Sequence, residues 1–145
     1  MSADSIYASA RMAAGYAFSR PAVHPRIVER IARDRRIDPR VARALDIGCG
    51  AGLSTAALEP IAGCVVGLEP EPGMLAHRRV VAPRSSFVVA RAEQLPFAAA
   101  SFDLVTAAGA LNYVDLGAFL PELARGLAAR GLTVSYDSSP GRRLA

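Results

Sequence analysis

Ala44-Leu45-Asp46-Ile47-Gly48-Cys49-Gly50-Ala51-Gly52, then Leu53 to Ile61, then Cys64-Val65-Val66-Gly67-Leu68-Glu69, is the stretch that decides the fold. Residues 44–47 read as a short buried strand. The glycines at 48, 50 and 52 then turn the chain sharply, because a residue without Cβ accepts left-handed backbone angles and lets a ligand approach the main chain. Leu53 to Ile61 has helical character, Gly63 stops it, and Cys64 to Leu68 reads as a second buried strand. Strand, glycine turn, helix, strand is the unit from which parallel sheets are wound.

Upstream, Pro25 opens a helix to about Arg36, with Val23, Ile27, Ile31 and Ala32 at helical spacing, and Asp38-Pro39 breaks it. Downstream, Glu69-Pro70-Glu71-Pro72 ends the second strand and starts a short helix. Ser86 to Ala90 and Phe102 to Ala107 read as a third and a fourth strand. A helix follows over roughly Ala118 to Arg130, its core face marked by Leu120, Leu123, Ala124 and Leu127. Pro121 fits only in its first turn, and Gly131 is its expected stop. Leu132 to Tyr136 is a fifth strand. The whole predicts a single α/β domain over residues 1–145: a Rossmann-like, doubly wound, mostly parallel sheet of about five strands behind an N-terminal helical segment (1–40).

Apolar residues make up 52% of the chain, enough to build a core from 145 residues. No apolar stretch reaches the roughly 18 residues that a membrane helix needs, and Met1 to Ala10 lacks the basic cluster of a signal peptide, so a cytoplasmic protein is expected. All 17 basic residues are arginines, and eight lie between Arg20 and Arg43 against three acids. No aromatic residues interleave with them, which argues against a stacking surface for nucleic acid. Cys49 and Cys64 show no metal-ligand spacing and are expected to be small buried side chains.

The chemistry sits at the glycine turn. Glu69 lies 19 residues after Gly50, at the end of the second strand, where a carboxylate can accept both hydroxyls of a ribose. Dinucleotide enzymes use G-x-G-x-x-G. Here position 53 is Leu and the pattern is G-x-G-x-G, which suits a nucleoside without pyrophosphate and counts against a nicotinamide-dependent oxidoreductase.

Leu45 to Gly52 resembles the first motif of class I S-adenosylmethionine-dependent methyltransferases. Gly67-Leu68-Glu69-Pro70-Glu71-Pro72-Gly73-Met74-Leu75 resembles the second. Ala92-Glu93-Gln94-Leu95-Pro96-Phe97 with Ser101-Phe102-Asp103-Leu104-Val105 is similar to the third, and Leu123 to Leu127 with Gly131 matches the helix before the fifth strand. Phe18-Ser19-Arg20-Pro21 with His24-Pro25 resembles the segment preceding the core of small-molecule members. The resemblance covers about residues 15 to 140. It implies S-adenosylmethionine as cofactor, a small-molecule methyl acceptor, and a cofactor site of Asp46 (bracing the loop), Gly48, Gly50, Gly52, Glu69, Pro70, Met74, Ala92, Glu93 and Arg20, with Tyr16 a further candidate beside Arg20. Removing the Glu69 carboxylate is then expected to weaken cofactor binding at little cost to folding.

Two departures stand out. Arg91 occupies the position where many relatives carry an aspartate that accepts from the adenine amino group. The family sheet has seven strands, and this chain ends after the fifth. A truncated, non-catalytic binding module is therefore the alternative to an enzyme, and the exposed fifth strand is expected to pair with a second copy. Methyl transfer needs alignment more than catalytic side chains. His24, Tyr113 and Asp115 are the nearest candidates for a base, against a helix-start neighbour, a packing residue and a helix cap respectively. His77 reads as a surface residue.

Overall fold

The computed structural model describes residues 23–37 and 40–137. Helix α1 (Val23–Asp34) leads into β1 (Val41–Ile47), α2 (Leu53–Leu58) and β2 (Ala62–Glu69). A 3-10 turn (Pro72–Leu75), α3 (Arg78–Val81) and β3 (Ser86–Val89) follow, then β4 (Phe102–Ala108), a second 3-10 turn (Leu111–Tyr113), α4 (Leu116–Gly126) and β5 (Leu127–Tyr136). The sheet has the order β3-β2-β1-β4-β5, and every pairing is parallel. Winding proceeds outward from β1 in one direction and resumes through β4 in the other. The strand order therefore reverses between β1 and β4, the place where open α/β sheets form a crevice at the carboxyl ends of their strands.

Alternation along the central strands separates two apolar layers. Leu45, Ile47, Val105 and Ala107 join Leu68, Phe102 and Phe119 on one face. Ala44 and Leu104 join Val28 of α1 and Ala57 and Leu58 of α2 on the other. Asp46 and Thr106 alternate onto the α2 face, which places a carboxylate inside that layer.

Three expectations need correction. The helix expected at 118–130 begins earlier and ends earlier. Asp115 caps it, its side chain accepting from the backbone N–H groups of Gly117 (3.0 Å) and Ala118 (3.4 Å), the usual service of an aspartate at a helix start. Pro121 is consequently the sixth residue of α4, beyond the first turn. The core face shifts with the start: Phe119 is buried, while Leu120 is 54% exposed. Second, Gly131 lies within β5 rather than stopping a helix. The register steps from Phe102 opposite Leu127 to Leu104 opposite Leu132, so extra residues bulge between them. A Cβ on Gly131 would stand 2.5 Å from the Leu127 side chain, which is why a glycine serves there. Third, Cys49 is buried but Cys64 is exposed. It sits near the start of β2 opposite Arg43, itself exposed, at the end of the sheet far from the crevice. The Asp38-Pro39 break lies outside the described residues.

Candidate functional site

A cleft of ≈ 1360 Å³ opens at the carboxyl ends of β1, β2 and β4. Gly48, Gly50, Glu69, Pro70, Met74, Ala92 and Glu93 all line it, so most of the residues singled out from the sequence converge on one cavity. Asp46 and Gly52 do not line it, and Arg20, like Tyr16, lies outside the described residues.

The loop is built by backbone geometry. Gly48, Gly50 and Gly52 have φ of +60°, +54° and +99°, the left-handed region that side chains rarely adopt. A Cβ on Gly48 would stand 2.5 Å from the Cβ of Ala110, so that glycine serves close packing against the β4 loop. Gly52 faces Phe87 and Val81 rather than the cleft. Gly50 alone of the three would point a Cβ toward Met74, whose Cε lies 3.7 Å away across the cleft wall.

Asp46 is the brace beneath this loop. It is 0% exposed. Its Oδ2 accepts from the hydroxyls of Ser54 (2.6 Å) and Thr55 (2.9 Å) at the start of α2, and its Oδ1 accepts from Thr106 (3.0 Å) on β4. One carboxylate thus ties β1, β4 and α2 together where the loop leaves the sheet. Burial pushes its pKa up to about 6, against the pull of the three hydroxyl bonds. A carboxyl group raised this way binds its proton more tightly in the folded than in the unfolded chain, so its contribution to stability is full at low pH and is lost as pH rises from about 4 to about 6. Asp46→Asn removes that titration and keeps the shape. Relative to the parent chain, the variant should gain stability across that window, by on the order of 3 kcal/mol at about 1.4 kcal/mol per unit. Urea unfolding at pH 4.5 and pH 7 measures it, and a stability difference that does not change with pH refutes the assignment.

Glu69 closes the loop from the β2 side. It is only 9% exposed. Its Oε1 accepts from the Gly50 N–H (3.0 Å) and its Oε2 from the Glu71 N–H (3.0 Å). Burial raises its pKa, and these two bonds oppose the rise. The expectation that this carboxylate could be removed at little cost to folding is thereby corrected: two backbone donors depend on it. Each carboxylate oxygen retains a further lone pair, so the same group can accept from a ligand.

Beyond this wall the cleft holds groups that sequence reasoning ranked low or missed. The His24 Nδ1 and the Tyr136 hydroxyl are hydrogen bonded at 2.9 Å, joining α1 to the end of β5. Burial first, and the charge of Asp46 second, hold the Tyr136 phenol well above its ordinary pKa, so it stays protonated. Residues 24 and 136 lie 112 apart in the chain, and no spacing rule links them. Tyr113 lines the cleft at 89% exposure, so it stands at the mouth rather than packing beneath the β4 loop. Asp115 is the helix cap, and its backbone N–H donates to Glu93 Oε1 (3.1 Å). His77 precedes α3 outside the cleft. Burial first, then the charges of Asp46 and Glu69, push the Cys49 thiol far up, which keeps it a thiol rather than a nucleophile.

A family profile described as a methyltransferase domain matches residues 45–135, which is more than half of the chain. The chain belongs to the S-adenosylmethionine-dependent methyltransferases. Among its relatives, the demethylmenaquinone methyltransferase of Corynebacterium kroppenstedtii is 37% identical over 117 residues, covering 77% of this chain and 49% of that protein. The ubiquinone biosynthesis O-methyltransferase of Azorhizobium caulinodans is 36% identical over 83 residues, covering 54% of this chain and 33% of that protein. Among solved structures, the YcgJ protein of Bacillus subtilis is 28% identical with a TM-score of 0.63, over 70% of this chain and 46% of the other. A protein of Methanococcus maripaludis assigned as an S-adenosyl-L-methionine-dependent methyltransferase superposes over 91% of this chain and 63% of its own, with a TM-score of 0.76 at 20% identity, and supports the fold. The chain spans between a third and a half of the length of the curated relatives it matches.

Proposed function

We propose that this chain binds S-adenosylmethionine in the cleft and transfers its methyl group to a small-molecule acceptor. One observation carries the reading: at the strand-order reversal, a nearly buried glutamate is held by the N–H groups of Gly50 and Glu71 on the wall of a glycine-turned cleft. A glutamate so fixed offers its remaining lone pairs to a vicinal diol. The residues present suit the cofactor: an acceptor for the ribose hydroxyls, a glycine at position 50 where a side chain would enter the cavity, and apolar Pro70, Met74 and Ala92 to flank a base. Bound there, S-adenosylmethionine supplies an electrophilic methyl group on a sulfonium.

What the chain itself contributes is placement. Asp46 fixes the loop, Glu69 anchors the ribose, and the apolar wall excludes water from the base. Arg20 and Glu93 belong to the same proposal, Glu93 beside Ala92 on the cleft wall. The rest of the cleft, between Val23 and His24 on one side and Gly109 to Val114 with Tyr136 on the other, is the space left for an acceptor. The His24–Tyr136 pair is the group there best able to orient an acceptor hydroxyl or take its proton. One of the two relatives above is named for demethylmenaquinone and the other for ubiquinone biosynthesis, so quinol and phenol acceptors are the first to try. Incubation with methyl-tritiated S-adenosylmethionine and such acceptors should place label in the organic extract. Tight cofactor binding with no label in any acceptor would overturn the transfer half and leave a nucleoside-binding module.

We also propose that two copies pair through β5, which among the described residues is bonded to β4 alone. Strand edges left open in this way recruit further strands. Light scattering should report a dimer, and a monomer at high concentration refutes the pairing.

A further inference from the structure

The arginines are not spread evenly over the molecule. Helices α1, α2 and α3 form one layer on the sheet. Val28 of α1 shares an apolar cluster with Ala57 and Leu58 of α2. Glu59, at the end of α2, accepts from the backbone N–H of Arg84 (3.0 Å) and the hydroxyl of Ser85 (2.8 Å), just after α3. Residues 23–36, 53–61 and 78–84, which carry this layer, hold eight arginines against three acids, a net of +5 in a chain whose net charge is +4. The rest of the molecule is therefore close to neutral.

The packing of α1 aims its charges outward. Val28 is its buried residue. With about 3.6 residues per turn, Arg26, Arg30 and Arg33 lie on the side of the helix opposite Val28, at i, i+4 and i+7, and all three are exposed. Asp34 pairs with Arg30 at 3.4 Å. Arg26, Arg33, Arg35, Arg36 and Arg79 form no ion pair among the described residues. Beside Arg79 on α3 stands Val80, 73% exposed, the most exposed large aliphatic side chain among the described residues. No Phe, Tyr or Trp lies in the three stretches, so the layer offers no platform for stacking bases.

We propose that the α1–α3 layer docks on an anionic lipid surface, its arginines against the headgroups and Val80 entering the interface. Unpaired cations spread over one face sum their attraction to a negatively charged bilayer. An apolar side chain standing out among them suits the boundary between headgroups and acyl chains, and has no counterpart on a nucleic-acid backbone. The inference does not depend on the cofactor reading. Val23 and His24, the first residues of α1, line the cleft, so its mouth lies at the margin of the contact.

The test is sedimentation of the 145-residue chain with phosphatidylcholine vesicles, alone or mixed with phosphatidylglycerol. The chain should pellet with the mixed vesicles and stay in solution with phosphatidylcholine alone, and added salt should release it. One arginine near the surface contributes about fivefold in partitioning, so Arg26→Gln, Arg30→Gln and Arg33→Gln combined should weaken binding by about a hundredfold, with circular dichroism checking that the variant is folded. Val80→Ser, on a different helix, should weaken it severalfold. Arg130→Gln, on β5 away from the layer, should leave it unchanged. The salt dependence and Val80→Ser decide the matter without the triple variant. No binding to the mixed vesicles, equal binding to both kinds, or binding that the folded triple variant or Val80→Ser leaves intact overturns the proposal. Capture of duplex DNA instead of vesicles, with the same dependence on the three arginines, would assign the layer to nucleic acid and overturn the lipid reading.

Discussion

Gly50→Val should reduce affinity for S-adenosylhomocysteine by more than about a hundredfold while the purified chain keeps its helical circular dichroism. Two effects add. The φ of +54° at this position is in the left-handed region, where a non-glycine residue pays on the order of 1–2 kcal/mol and a β-branched one more. The side chain would also grow from the cleft wall toward Met74, into the space assigned to the nucleoside. Misplacing the loop further disturbs the Gly50 N–H bond to Glu69. Met74 is the side chain that a Cβ here would meet, so the layers centred on Leu45, Ile47 and Leu104 should persist. Retained binding would show that the loop does not cradle the cofactor.

Glu69→Ala should weaken the same ligand by at least tenfold, since a carboxylate accepting from hydroxyl groups forms charge-assisted bonds of about 1.5–3 kcal/mol. It should also lower the unfolding free energy by about 1–3 kcal/mol, because the N–H groups of Gly50 and Glu71 lose their acceptor. The two effects separate in experiment. Urea denaturation without ligand reads the second, and titration of the folded variant reads the first. Unchanged affinity would place the ribose elsewhere. Unchanged stability would mean that water or a rearranged loop replaces both bonds.

The parts of the molecule legible in the sequence are those set by neighbours in the chain. β1, the glycine turn, α2 and β2 follow one another within 44–69, and their apolar runs and punctuation mark them locally. Glu69 could be found because its distance from Gly50 is a property of the strand–loop–helix–strand unit. The brace on Asp46 was only half legible. Ser54 and Thr55 lie eight and nine residues away, but Thr106 is 60 residues distant, and its place opposite Asp46 depends on the β1–β4 register. The His24–Tyr136 bond is beyond any local pattern for the same reason. In α4 the miss was of another kind. Pro121 and Gly131 are strong local signals, but the cap from Asp115 and the anchoring of Arg125 on the carbonyls of Leu95 and Phe97 overrode them.

The central claim is that the cleft at the β1–β4 reversal holds an adenosyl cofactor without a pyrophosphate. Calorimetric titration of the chain with S-adenosylhomocysteine and, separately, with NAD at the same concentrations tests it most directly. A saturable isotherm for S-adenosylhomocysteine, lost in Gly50→Val, and no heat of binding for NAD is the predicted result. Preference for NAD, or binding of S-adenosylhomocysteine that Gly50→Val leaves intact, would contradict it.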